Sequence, residues 1–243
     1  MVYQRFNSEE FENLMKIIIK MDPNYVFYNN LWICARKPII IFKQSQLPYF
    51  KKICKDLVYN FKSTNKNSQK TFVIPIVFYP CEDPLKYNNY TEILLYDRME
   101  KEKQVCDEKC FRDSFIIFNH VNVLIIFTDI SKCEIHIERY EPSTTIFQDM
   151  YFHFNEMLLI EFGKQLEEEL KLQDIIDMKI IWHNISSIGS QKILEDNKYC
   201  TTHVLYYIFW RIILGSSNLA MHKILNFEKK DFKNFGLAMK ECL

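Results

Sequence analysis

ISSIGSQKILEDNKYCTTHVLYYIFWRIIL, residues 185–214, joins a polar loop to a strongly apolar helix, and a cysteine stands at the junction. From Val204 on, Val204, Ile208 and Ile212 form one stripe and Leu205, Phe209 and Ile213 a second. That i, i+4 repeat marks a helix with a buried face. Asp196 or Asn197 can cap its start, which puts Cys200 within or near the first turn. A thiol at that point meets unsatisfied backbone N–H groups and the positive end of the helix dipole, both of which favour thiolate. Gln191, on the preceding loop, carries a side-chain amide able to fold back toward the same turn. A lone cysteine is more often plain core, so the rest of the chain has to decide.

Composition narrows the choices. With 31 basic and 31 acidic residues the formal net charge is zero, and no basic stripe is visible. Binding to a phosphate backbone has no electrostatic support, and no nucleic-acid partner is expected. No stretch reaches the ~18 apolar residues of a membrane span, and the first residues, MVYQRFNSEEFENL, lack the apolar core of an export signal. An intracellular chain is expected, without disulfides among its eight cysteines. Cys106 and Cys110 are the one close pair, and no second pair or histidine pair is spaced to complete a zinc site. Neither metal nor cofactor is expected.

Along the chain, Asn7 with Glu10 makes a capping box for a helix to about Met21. Tyr25–Phe42 holds two β-rich runs, and Leu47–Phe61 is helical by pattern. The polar stretch 60–70, NFKSTNKNSQK, is the best boundary in the chain. It divides an extension over 1–69, which could still belong to the same domain, from a main domain over 70–243. TFVIPIVFY (71–79) reads as a strand that Pro75 relegates to an edge, an irregularity or two pieces. Residues 81–113 read as an excursion containing a short apolar run, ILLY.

The second informative stretch is Phe115–Pro142, FIIFNHVNVLIIFTDISKCEIHIERYEP. Val121–Phe127 reads as a buried strand, Thr128–Lys132 as the turn and Glu134–Tyr140 as a strand with one wet face. A turn centred near Ile130 places His120 across from Tyr140 or Glu141; a shift of one residue offers Glu138 instead. A carboxylate beside an imidazole fixes its tautomer and stabilises its cation. Asp149–Leu172 follows as a long helix, Met178–Trp182 as a short strand and Phe232–Met239 as a terminal helix. His183 and His203 are rival bases, the latter one turn beyond Cys200.

The functional candidates therefore run His120, Glu141, Gln191, Cys200. Papain-type proteases place the cysteine before the histidine, so their order does not fit. The order found here resembles that of the adenain and SUMO-protease superfamily. HVNVLIIF is similar to the histidine strand of that group, with Val121 where tryptophan is usual, and YEP resembles the glutamate–proline of adenovirus-type proteinases. IERYEPSTT is closer still to a segment of the Ulp-like cysteine proteases of large DNA viruses. In these a Gly-x-Gln-x-Leu-Glu-type loop precedes Tyr-Cys, an apolar helix and an arginine; this chain has Gly189, Gln191, Leu194-Glu195, Tyr199-Cys200 and Arg211. Thr201 stands where SUMO proteases usually have glycine.

The resemblance covers roughly residues 71–220. It implies an α+β, papain-like fold of the adenain/SUMO-protease type, with a central mixed sheet flanked by helices and the catalytic cysteine at a helix N-terminus. It implies a cysteine endopeptidase with Cys200 as nucleophile, His120 as base, Glu141 (or Glu138) as orienting acid and Gln191 in the oxyanion hole. The implied substrate is a protein with a small residue such as glycine before the cut, either a viral polyprotein or core protein or a ubiquitin-like conjugate. Location in the host cytoplasm or virion follows from the same likeness. The rival expectation from another class is a degenerate protease fold that only binds a partner.

Overall fold

The computed structural model describes residues 6–28, 31–36, 39–43, 47–62, 70–80, 90–95, 120–142, 162–175, 177–184 and 200–243. The first helix, α1 (Ser8–Ile19), begins as its sequence dictates. The Asn7 side chain accepts from the Glu10 N–H at 2.9 Å, and the Glu10 carboxylate accepts from the Asn7 N–H at 3.0 Å. Two of the helix's orphan donors are thereby satisfied.

The 25–42 region forms three strands rather than two: β1 (Tyr25–Phe27), β2 (Leu31–Arg36) and β3 (Ile39–Lys43). Helix α2 (Leu47–Lys62) precedes β4 (Thr71–Pro80). The ILL of that run lies in β5 (Tyr90–Leu95), which pairs antiparallel with β3 at one margin of the sheet. Then come β6 (His120–Asp129), a 3-10 turn (Ile130–Lys132), β7 (Glu134–Tyr140), a helix α3 over 162–172, and β8 (Lys179–Asn184). The chain ends with α4 (Cys200–Leu214), α5 (Ser217–Leu225) and α6 (Lys229–Glu241); α5 had no counterpart in the sequence reading. The 149–161 part of the long helix expected there lies outside the described residues.

Among the described residues, one mixed sheet contains all eight strands in the order β5-β3-β2-β4-β6-β7-β8, with β1 also on β4. Strand β4 is therefore central, contrary to the edge position or break that Pro75 suggested. The register explains the tolerance: β1 pairs with Thr71–Val73 and β2 takes over at Ile76. Pro75 falls where the neighbour changes, so its missing N–H interrupts neither ladder on that flank.

Each face of the sheet carries a core. On one, α2 and α3 (Ile53, Leu57, Phe162, Leu166) pack on Phe72, Ile74, Leu124, Ile126, Ile135 and Ile137. On the other, α1 and α4–α6 (Phe11, Leu14, Val204, Leu205, Ile208, Phe232) cover Val73, Val77, Val121, Val123, Ile125 and Tyr140. Residues from 8–62 thus share both the sheet and its two cores with the rest of the chain. The second stripe of α4 runs out to the surface, with Ile213 half exposed. Gly215 closes α4 at φ 65°, its N–H donating to the Arg211 carbonyl at 3.0 Å. That left-handed cap suits a residue without Cβ.

Candidate active site

Cys200 is the first residue of α4 and is buried, packed in the cluster that contains Val121, Val123 and Tyr140. His120 opens β6, its backbone in register with Phe78 of β4. Gln191 and the proposed caps Asp196 and Asn197 lie outside the described residues.

The β6–β7 ladder is offset from the sequence expectation. Tyr140 faces Val123 and Asp129 faces Glu134, so His120 is not across from Tyr140 or Glu141. The cause is the connection: a 3-10 turn followed by Cys133 at φ 53° adds residues after Asp129 and moves the turn's centre toward Ser131. Glu141, just past β7, is buried and accepts a hydrogen bond of 3.2 Å from the Asn122 side-chain amide. Asn122 was missed in the sequence, although it is the one polar residue within Val121–Phe127. An amide in so apolar a run needs a buried partner, and that is the signal that could have found it. Alternation puts Asn122 on the α2 face of the sheet, two residues along β6 from His120.

Glu138, the other candidate acid, belongs to a different group. Its Oε2 accepts from Arg211 Nε at 3.0 Å and its Oε1 from Nη2 at 3.4 Å. Arg211 Nη1 donates to the Tyr25 hydroxyl at 3.0 Å, and the guanidinium carbon sits 5.7 Å from the Phe127 ring centre. Burial pulls the Arg211 pKa down, but the hydrogen bond and charge of Glu138 outweigh it and the net shift is upward. Tyr207, stacked on Tyr140 at 4.1 Å, is pushed well above its ordinary value by burial and then by Glu138.

These contacts align α4 with the strands. Tyr207 stands over Tyr140 and Arg211 meets Glu138. Four helical residues advance about 6 Å and two strand residues about 6.8 Å, so helix and strands keep step. The Cys200 end of α4 therefore points to the open end of the β6–β7 hairpin, where β6 begins and β7 ends.

The rival bases have other surroundings. His203 is fully buried beside Phe232, their ring centres 4.4 Å apart. Burial lowers its pKa to about 3, so it is a neutral core imidazole. Because an unfolded histidine titrates near 6.5, the unfolded chain takes up a proton between about pH 6.5 and 3 that the folded chain refuses. Stability supplied by neutral His203 is thus whole above that window and falls as pH drops through it. Relative to wild type, His203→Gln should gain stability on acidification from pH 7 to 4 in urea denaturation. A difference that does not change with pH would contradict the buried, neutral state. His183 lies on β8 and pairs with His136, Nε2 to Nδ1, at 2.7 Å.

A second buried thiol lies on the other side of the sheet. Cys54, in the α2 core, is pushed up to about 12, first by burial and then by the charge of Glu169. Cys133 and Cys242 are exposed. Among the described residues, no helix is long and apolar enough to cross a membrane.

No protein-family model matches the chain, and no curated protein matches it in sequence. Solved structures do. The Chlamydia trachomatis effector ChlaDUB1 aligns over 99% of this chain and 84% of its own at TM-score 0.50 and 11% identity. The Legionella pneumophila effector RavZ aligns over 97% of this chain at TM-score 0.47 and 10% identity, and this chain spans 64% of that one; in another RavZ structure it spans 55%. The SUMO protease Ulp1 aligns over 97% of this chain and 75% of its own at TM-score 0.42 and 15% identity. The α+β fold expected from the sequence is the fold observed: a mixed sheet flanked by helices, a cysteine opening one of them, in an arrangement similar to that of ChlaDUB1.

Proposed function

We propose that the chain is a cysteine peptidase in which Cys200 is the nucleophile, His120 the base, Glu141 the orienting acid and Gln191 a donor to the oxyanion. The observation that carries this reading is the stepwise match of α4 to the β6–β7 hairpin. From the level of Tyr140 and Tyr207, Cys200 is seven helical residues back, about 10 Å. His120 is three strand residues before Val123, the partner of Tyr140, also about 10 Å. Both positions come to one height at the open end of the sheet. Glu141 is there too, buried and held by Asn122. The groups would meet around the strand ends, under the first turn of α4, rather than on a sheet face.

In the proposed reaction the Cys200 thiol gives its proton to His120, and the sulfur attacks the peptide carbonyl carbon. The oxyanion is held by the Gln191 amide and the Cys200 N–H, each such donor contributing roughly 3 kcal/mol. The C–N bond breaks as His120 returns its proton to the leaving amine, and water hydrolyses the thioester. Glu141 keeps the imidazole in the useful tautomer. Glu138 is the weaker choice for this role because both its oxygens engage Arg211. Glu141→Gln should lower turnover roughly 10⁴-fold if the acid acts as triad carboxylates do. Asn122→Ala should act more mildly and through Glu141, shifting the pH profile of kcat/KM; an Asn122→Ala profile that superimposes on wild type would remove it from this chain of contacts.

The substrate is a protein presenting an extended tail with a small residue before the cut. The IERYEPSTT run favours maturation of viral polyprotein or core proteins, and the SUMO protease among the similar structures brings in ubiquitin-like conjugates. Fluorogenic glycine-ending tails should be tested beside ubiquitin-like C-terminal amides on the full chain. Cleavage of short tails alone favours maturation, and cleavage only of the ubiquitin-like amides favours deconjugation. A Cys200 that neither turns over any of these nor is captured by a ubiquitin-like C-terminal electrophile would make the chain a binding module. Simple alkylation does not discriminate on its own, since exposed Cys133 and Cys242 also react.

A further inference from the structure

At the turn end of the β6–β7 hairpin, far from the open end just described, three side chains with metal-binding chemistry face one another and a fourth, His183, stands behind one of them. Asp129, the last residue of β6, is in register with Glu134, the first of β7, and His136 follows on the same face. One ligand atom from each of Asp129, Glu134 and His136 lies within 4.8 Å of the other two. His136 Nε2 is 3.1 Å from Glu134 Oε2. On its other side, His136 Nδ1 meets His183 Nε2 of β8 at 2.7 Å, with the two rings coplanar to within 12°. That is an in-line N–H···N hydrogen bond. The His136 ring also lies flat against Phe127, 4.9 Å between centres, so its edge is fixed.

We propose that Asp129, Glu134 and His136 form a divalent-cation site of the zinc class, with His183 as the positioning residue behind His136. An imidazole nitrogen 3.1 Å from a carboxylate oxygen has either its own N–H proton or a metal ion between them. A metal takes the Nε2 lone pair when the imidazole proton moves to Nδ1, where His183 accepts it. A ligating histidine is, as a rule, held by such an acceptor on its other ring nitrogen. For a neutral pair the exchange is a tautomer shift that releases no proton. Asp129 is already oriented by its cap: Oδ1 accepts from the Ser131 N–H at 3.1 Å and from the Ser131 hydroxyl at 2.6 Å. Oδ2 faces Lys132 Nζ at 3.2 Å, and this mostly exposed ammonium is the group an incoming dication displaces. One imidazole and two carboxylates suit zinc or cobalt and leave positions for water. The side chains are 13% exposed for His136, 21% for Glu134 and 29% for Asp129, so an ion has a path in.

Cobalt(II), a spectroscopic stand-in for zinc, tests this on the full reduced chain. Wild type should bind one equivalent with a d–d spectrum free of thiolate charge transfer. Glu134→Gln and His136→Ala should each lose that equivalent, and His183→Ala should weaken it about 10–100-fold. Any cobalt bound through cysteines would remain in all variants and is identified by its charge-transfer band. Identical titrations for wild type, Glu134→Gln and His136→Ala would overturn the site. Glu134→Gln conserves the shape of the hairpin and keeps the comparison interpretable if His136→Ala unfolds.

Discussion

Cys200→Ala and His120→Ala are each expected to reduce turnover by roughly 10⁴-fold or more, with little change in stability. The magnitude follows from catalytic groups that act as one unit, where removing either member costs about as much as removing both. The double variant should therefore be no worse than either single one, and that non-additivity is the diagnostic. Cys200 is buried in the cluster of α1, α4 and β6, but alanine removes only its sulfur, so the helix and sheet should persist. The measurements are single-turnover cleavage of a glycine-ending fluorogenic substrate and circular dichroism of the same samples. Multiplicative losses in the double variant would mean two independent effects and no shared reaction. Wild-type activity in either single variant would end the assignment.

Arg211→Ala is expected to cost about 3–5 kcal/mol of folding stability, because it strands a buried carboxylate. Glu138 and Arg211 are about 5% and 7% exposed in their side chains, so water cannot replace the lost partner. Tyr25 loses its guanidinium contact in the same step. The joint variant Glu138→Leu/Arg211→Met should recover most of the loss, since burying an ion pair costs desolvation that an apolar pair avoids. Urea midpoints at constant slope would show both effects. If Arg211→Ala shifts the midpoint no more than a typical surface change, about 0.5 kcal/mol, the pair does not anchor α4. Because that pair sets how far α4 slides along β7, Arg211→Ala should also lower kcat/KM beyond what the unfolded fraction explains.

Much of the local architecture was legible. The i, i+4 repeat after Cys200 marked α4, and Asn7 with Glu10 marked the start of α1. The apolar run 121–127 marked β6. In each case a local signal, a side-chain period or a capping pair, is enough to fix the element. The misreadings were of partners. Pro75 is a sound edge signal, and it failed because two short strands share one flank of β4 and change over beside it. Glu134–Tyr140 alternates as expected only at its start, since Glu138 and Arg139 are both buried. The pairing of Glu138 with Arg211 spans 73 positions and has no local trace.

By itself the sequence determined the kinds of elements, the fold class that their order resembles, and the cysteine that opens α4, because helix and strand periods and helix ends are written within a few residues. The tertiary structure alone decided the register of β6 on β7, the separate partners of Glu138 and Glu141, and the height of Cys200 above the strand ends. Those depend on how many residues a turn consumes and on which distant side chain meets a buried charge, and neither quantity is stored in any local pattern.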